Sequence, residues 1–282
     1  MQKAWRLLKT TVTAFINDEA LGRGAAIAFY TVTSIAPVLL IVVAIAGVVF
    51  GREAAQNGII AQLSGLIGQQ SAEILQTALA SAQSKTSGKI ATVVGVVMVI
   101  VTASGVFGEM QAALNVIWKA DPTGTPISRL IRARAAGLGL VVSLGFLLMV
   151  SLVISAGLSA FGDYLNSVFP FGQVILTIVN AVISLLLISI LFATIYKVLP
   201  DKHIDWRDVI VGAIVTSFLF TAGKSLIGWY IGSSAVASAY GAAGALIVML
   251  LWVYYSAQIF LLGAEFTKAY SYRAKSDDAS RV

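Results

Sequence analysis

The sequence predicts an all-α polytopic membrane protein with six transmembrane helices, an external amphipathic helical loop and an N-terminal interfacial helix. All of it belongs to a single membrane domain over residues 1–282. Three observations lead there. Only 11% of the residues are charged and 58% are hydrophobic, whereas ordinary soluble proteins carry about a quarter charged residues. Six apolar stretches each approach the roughly 17–25 residues that a helix needs to cross a ~30 Å hydrocarbon layer. The basic residues between those stretches fall very unevenly on the two sides, as they do where they set topology.

The elements follow in order along the chain. In residues 1–20, Trp5, Leu8, Val12, Phe15 and Ile16 recur at helical spacing beside Lys3, Arg6 and Lys9. A helix lying on anionic headgroups fits this pattern, and so does a cytoplasmic helix packed on the bundle. Met1 to Glu19 lacks a continuous apolar core and a small-residue cleavage site, so no signal peptide is expected. The spans are placed near 25–50, 90–107, 136–161, 174–199, 209–231 and 242–264. They are too long and too continuously apolar for barrel strands, which alternate over about ten residues. The loop 51–89 carries Ile59, Ile60, Leu63, Leu66, Ile67, Ile74, Leu75 and Leu79 on helical faces, with Gln62, Gln69, Gln70, Glu73 and Gln76 as a polar face. Gly65 and Gly68 divide it into two short helices that cover or gate the outer side. Residues 265–282 form a cytoplasmic tail.

Orientation comes from the lysines and arginines. Lys3, Arg6, Lys9, Arg23, Lys119, Arg129, Arg132, Arg134, Lys197, Lys202, Arg207, Lys268, Arg273, Lys275 and Arg281 share one side. Arg52, Lys85 and Lys89 take the other, and Lys224 lies inside a span. Fifteen against three puts both termini in the cytoplasm. The net charge of +6 is spread over the connections, so it makes no nucleic-acid patch. Without cysteine there is no disulfide framework and no thiolate metal site.

Prolines and tryptophans fit the same map. Pro122, Pro126, Pro170 and Pro200 fall in connections, while Pro37 lies inside the first span, where it lacks a donor and is expected to kink the helix. Trp118 and Trp206 are expected at the cytoplasmic interface and Trp229 at the outer one. Trp252 sits mid-span and requires either packing or a cavity.

Equipment for catalysis is scarce. The single histidine, His203, stands between Asp201 and Asp205 in the connection Pro200–Trp206. It reads as an interfacial loop residue, since one imidazole and two carboxylates make no convincing zinc set. There is no P-loop and no nucleophile elbow. The chain is therefore expected to be no enzyme, to need no cofactor or metal, and to hydrolyse no ATP itself.

Intramembrane polar residues are costly and therefore informative. Lys224 can snorkel outward or face the interior toward an anionic group. Asn180 and Gln258 can bond between helices or toward a substrate. Glu109 and Glu265 are expected at the cytoplasmic C-termini of the second and sixth spans, where the helix dipole disfavours them. Each then needs a cation such as Arg23, Arg132, Arg134 or Lys268, as a salt-bridge clasp or as a proton-coupled gate. Gly47-x-x-x-Gly51 and Gly228-x-x-x-Gly232 permit close helix approach, and the small-residue stretch 232–244 is either a hairpin or a re-entrant turn.

Specific strings then matter more than composition. Ala25-Ala-Ile-Ala-Phe-Tyr30 with Ser34-Ile-Ala-Pro37 resembles the opening of the YihY/BrkB family of bacterial membrane proteins. Phe107-Gly-Glu-Met-Gln-Ala-Ala-Leu-Asn115 with Ile117-Trp118, Tyr196-Lys-Val-Leu-Pro200, Trp206 with Gly212-Ala213, and Tyr240-Gly241 to Trp252 with Gly263-Ala-Glu-Phe266 resemble it in the same order. The resemblance implies six helices in the bacterial inner membrane and both termini inside. The family's old "ribonuclease BN" label finds no nuclease site in these residues and is read as a misannotation. Some members are linked to transport of lipids or lipopolysaccharide precursors. Tyr30, Pro37, Glu109, Asn115, Trp118, Tyr240, Gly241 and Glu265 match the family strings.

The leading functional expectation is a transporter of an amphiphilic or lipid-like substrate. The alternative is a non-transporting scaffold or envelope-assembly factor. Residues proposed to bind substrate or gate its path are Lys224, Asn180, Pro37, Glu109, Glu265, Asn115, Tyr30, Tyr240 and Trp252. The partners expected are membrane lipids, the amphiphile, and a second copy of the chain or an envelope protein, with no nucleic acid.

Overall fold

The computed structural model describes residues 2–67, 69–84, 105–120, 150, 172–233 and 242–279, and every element among them is helical. In chain order these are α1 (Gln2–Asn17), α2 (Ala20–Phe50), α3 (Arg52–Ile67) and α4 (Gln69–Ser84), then α5 (105–118), α6 (Gly172–Val198), α7 (Trp206–Ser233) and α8 (Ala242–Ala279).

Helix α1 packs on α8 and α2 through Thr11, which is buried, and Phe15. Its Trp5, Leu8, Val12 and Ile16 form an outward row at i, i+3 and i+4 spacing, with Trp5 70% exposed. The helix docks on the bundle, as one of the two sequence readings has it, and keeps an exposed apolar face. At its end the chain turns through Glu19, whose φ of 54° and ψ of 36° are left-handed. A non-glycine residue there costs roughly 1–2 kcal/mol, so neighbouring contacts must hold the elbow.

Helix α2 runs unbroken through Pro37. Proline offers no N–H to the carbonyl of Thr33. In the turns just before it, the hydroxyls of Thr31, Thr33 and Ser34 donate to the carbonyls of Ile27, Phe29 and Thr31, which is how polar side chains commonly accompany a proline in a membrane helix. The helix ends at Gly51, whose φ of 83° suits glycine and whose N–H reaches the Gly47 carbonyl at 3.1 Å.

The long loop holds two helices, as expected, with α3 ending at Ile67 and α4 beginning at Gln69. Gly65, expected to help divide them, lies within α3, and Gly68 lies outside the described residues. Ala55 and Ile59 of α3 pack with Leu75 and Leu79 of α4 against Leu39, Val43 and Ala46 of α2 and Met249 of α8. Gln69, Glu73 and Gln76 stay exposed, as the polar face requires.

A second, larger cluster joins α5, α6, α7 and α8 around Leu114, Ile117, Tyr196, Val209, Phe260 and Leu261. The rings of Phe192, Tyr196 and Phe260 stack with centroids 5.4–6.3 Å apart. Helices α7 and α8 approach closely because glycine faces a hydroxyl in both directions. A Cβ on Gly263 would collide with Thr216 Oγ1 and the Tyr196 hydroxyl, and one on Gly212 with Thr267 Oγ1.

Three described helices are long and apolar enough to cross a membrane: Thr177–Val198 of α6, Trp206–Ile227 of α7 and Leu246–Arg273 of α8. Helix α6 presents Ile178, Val182, Leu186 and Ile190 as a continuous exposed row. A stripe of that kind has lipid as its natural neighbour. The molecule is therefore a helical membrane protein.

The expected spans 25–50, 174–199 and 209–231 fall on α2, α6 and α7. The expected span 242–264 falls on α8, which continues as a helix through the residues expected as the tail to Ala279. Its buried side persists beyond residue 264 through Thr267 and Ser271, both small polar residues. The span at 90–107 is described only from residue 105, and the span at 136–161 only at residue 150; Tyr240 and Gly241 also lie outside the described residues.

Candidate functional site

Two polar constellations are built at the same end of the bundle as the α5 terminus and the α6–α7 connection. In the first, α5 closes with a Schellman pattern. Lys119 adopts a φ of 47°, its N–H reaches Val116 O at 3.1 Å, and Ala120 N–H reaches Asn115 O at 2.9 Å. Lysine stands where glycine would be easier, and the connection after α6 compensates. Lys202 Nζ donates to the Trp118 carbonyl at 2.9 Å, covering an otherwise open helix end.

Asn115 and Asp201 form a reciprocal pair. Asn115 Nδ2 donates to Asp201 Oδ2 at 2.8 Å, and the Asp201 N–H donates to Asn115 Oδ1 at 2.8 Å. Gln111 Nε2 adds a bond to Asp201 Oδ1 at 3.2 Å. Lys197 donates to Ile204 O and stands 5.3 Å from the centre of the Trp206 ring. Residues 111–118 of α5 and the connection that follows Pro200 are thereby latched together.

The second constellation gathers where α1, α2 and α8 meet. Lys268 Nζ lies 3.4 Å from Asp18 Oδ2 and 3.8 Å from Glu265 Oε2. Glu265 is 1% exposed, and neither of its carboxylate oxygens has a hydrogen bond. The Asp18 carboxyl adjoins it, with Lys119 further off. Arg23 does not pair with Glu265; its Nε donates to the Asp18 carbonyl at 3.1 Å, across the strained Glu19 elbow. One turn-pair earlier on the same α8 face, Gln258 Nε2 reaches Leu21 O at 3.4 Å and its amide lies over Gly24. Gln258 thus joins α8 to α2.

The remaining sequence-predicted residues scatter. Lys224 is half-buried on α7, beside Gly223, whose face packs on Tyr255 and Ile259 of α8. Among the described residues Lys224 has no hydrogen-bond or ion-pair partner. Asn180 lies on the exposed face of α6. The Tyr30 ring covers Gly105, where α5 begins. Trp252 is half-buried against the α2–α4 cluster, edge-on to Phe220 at 6.1 Å, so packing explains it. Glu109 is half-buried in α5 with no described partner. Pro37 lies within α2, and Tyr240 falls outside the described residues.

Three expectations need correction. Glu109 and Glu265 do not sit at helix C-termini, because α5 runs on to 118 and α8 to Ala279; desolvation, not a helix dipole, is the cost that Glu265 bears. Trp118 is no interfacial belt residue. It is 4% exposed in the main cluster, and its indole N–H has no hydrogen bond. Trp206, by contrast, is exposed as a belt residue should be. Of the cations suggested for Glu265, Lys268 is the partner, Arg23 is not, and Arg132 and Arg134 lie outside the described residues. His203 is exposed in its connection, and among the described residues no group of three or more His, Asp or Glu could hold a metal.

Asp18, Gln111 and Asp201 were not singled out for these roles. Asp201 stands out in the sequence only beside His203, because its partners Gln111 and Asn115 lie some ninety residues earlier and no local pattern points to them.

Comparison with known proteins gives the context. Residues 11–281 match the family described as virulence factor BrkB. A UPF0761 membrane protein of Alkalilimnicola ehrlichii is 27% identical over 267 residues, which are 90% of this chain and 56% of that protein. Another, from Pasteurella multocida, is 30% identical over 211 residues, or 74% of this chain and 60% of the relative. One from Yersinia pseudotuberculosis is 31% identical over 205 residues, or 68% and 63%. The chain thus spans less than two thirds of the length of these relatives. No solved structure matches. With nearly its whole length matched, the chain belongs to the virulence factor BrkB family of membrane proteins.

Proposed function

We propose that the chain is a transporter of an amphiphilic or lipid-like substrate in the bacterial inner membrane. In this reading it has six spans and both termini in the cytoplasm, lacks an ATPase of its own, and carries out no covalent chemistry. Lys224 is the observation that carries the proposal. A lysine within an apolar span is expensive unless it serves a pathway or finds a counter-charge. It stands half-buried on α7 with no partner among the described residues. An anionic headgroup would supply that counter-charge, while the apolar flank of α6 and α7 would accommodate acyl chains.

The test is reconstitution in liposomes carrying labelled anionic and zwitterionic lipids, with transfer between leaflets followed over time. Lys224→Ala is expected to slow transfer of the anionic lipid by roughly tenfold, equivalent to about 1.4 kcal/mol of lost pairing, and Lys224→Arg to retain most of it. Transfer no faster than in protein-free vesicles, for every headgroup tried, would sink the reading.

One observation favours a non-transporting scaffold. Helices α7 and α8 interdigitate so closely at Gly212, Gly223 and Gly263 that no passage runs between them there. Under that reading Lys224 merely reaches toward headgroups of the surrounding bilayer, and Lys224→Ala leaves lipid movement unchanged.

A further inference from the structure

We propose that Asp18 and Glu265 form a proton-binding site, in which one exchangeable proton is shared by the two carboxylates beside Lys268. The site lies apart from Lys224 and does not depend on whether the chain transports lipid. Its parts come from different elements. Asp18 closes α1, Glu265 and Lys268 stand one turn apart on α8, and the elbow at Glu19 holds the first against the second.

The argument is one of charge and solvation. Two carboxylates adjoin each other with one ammonium within ion-pair reach of both. Lys119 acts on Glu265 from the end of α5, but its side chain is exposed and therefore screened. Arg23, the remaining cation facing the elbow, is bonded to the Asp18 carbonyl and to neither carboxylate. With both acids ionised, the buried group carries an uncompensated negative charge, in surroundings where Glu265 is 1% exposed.

The bonding state of Glu265 points the same way. Its Oε1 has neither a hydrogen bond nor an ion pair, and its Oε2 has only the 3.8 Å approach of Lys268. A buried carboxylate normally collects donors. A proton can join two adjoining carboxyls without moving a helix. Binding it neutralises the cluster against Lys268 and converts mutual repulsion into a carboxyl–carboxylate hydrogen bond. Releasing it leaves two anions competing for one ammonium across the strained elbow, so α1 loosens from α8. The site would therefore report the pH of the adjoining solution as the position of α1.

The chain has no cysteine, so a single one can be placed at Thr10, on the exposed side of α1, and coupled to an environment-sensitive dye. The full chain in lipid nanodiscs is titrated with pH, with sodium and then with potassium as the background cation. A single-proton step in dye emission is expected, together with an infrared carboxyl band that disappears over the same range as pH rises. Glu265→Gln should abolish both. Glu265→Asp, a second variant should the first fail to fold, should keep the step and displace its midpoint. The proposal is overturned if the wild-type dye and band do not titrate, or if the step survives in Glu265→Gln. It is also overturned if sodium at constant pH removes the band, which would make the ligand a metal cation.

Discussion

Gly263 faces two oxygen atoms at once. A methyl group added there would overlap Thr216 Oγ1 and the Tyr196 hydroxyl, which donates to Phe260 O at 2.7 Å and lies 3.1 Å from Thr216 Oγ1. Gly263→Ala must therefore push α7 from α8 or break that buried hydrogen-bond pair. It should lower stability by roughly 1–3 kcal/mol, read as a reduced unfolding temperature in detergent micelles. Gly22→Ala, where a Cβ meets nothing within 4 Å, is the matched control and should be neutral or slightly stabilising. An equal loss from both would show that Gly263 has no special role. The sequence exposed part of this scale. Glu265 and Lys268 were legible as an acid needing a cation and one of its candidate cations. The sequence puts the cost in a helix dipole at the cytoplasmic boundary, whereas the structure makes it burial. Trp118 misled, because an aromatic residue near an interface and one at a bundle core have the same neighbours in sequence. Asp18 was invisible for a related reason: its partner is 250 residues away, and no local pattern encodes that distance.

At the level of elements, the connection 199–205 acts as a cap for α5. Asn115, Gln111 and the Trp118 carbonyl all receive their partners from Asp201 and Lys202. Asn115→Ala removes both arms of the reciprocal pair and leaves the Asp201 N–H without its acceptor. The expected cost is roughly 1–3 kcal/mol, with faster hydrogen exchange at the end of α5 and in residues 199–205. Unchanged exchange in both segments would refute the latch. Helical periodicity revealed α3 and α4 as two helices, because apolar residues spaced at three and four must share a face. The reach of α8 was not legible. Hydropathy falls where glutamate and lysine appear, yet the helix continues to Ala279, with Lys268 paired to Asp18 just after α1.

For the whole molecule, the uneven basic residues make a topological prediction. In intact cells a membrane-impermeant thiol reagent should label a cysteine at Glu73, on the exposed side of α4, and leave one at His203 unlabelled until the membrane is opened. The reverse pattern would invert the proposed orientation. Membership of the family was readable from short strings, some of which hold residues that join distant segments: Asn115 and Trp118 bond to the connection after Pro200, and Tyr30 lies over Gly105. Function was less readable, since lipid-facing helices owe their composition to the solvent around them more than to any task.

Helix α8 has a mechanical consequence. It runs from Ala242 to Ala279 and contributes Met249 to one apolar cluster and Leu261 to the other, with Lys268 fastened to the α1 elbow beyond both. At about 1.5 Å per residue it is a stiff beam roughly 57 Å long. Neither cluster can repack by itself, because any tilt admitted at the α3–α4 end becomes a lateral throw at the Glu265 end. Leverage of that kind would let a small disturbance on one face of the bilayer register on the other.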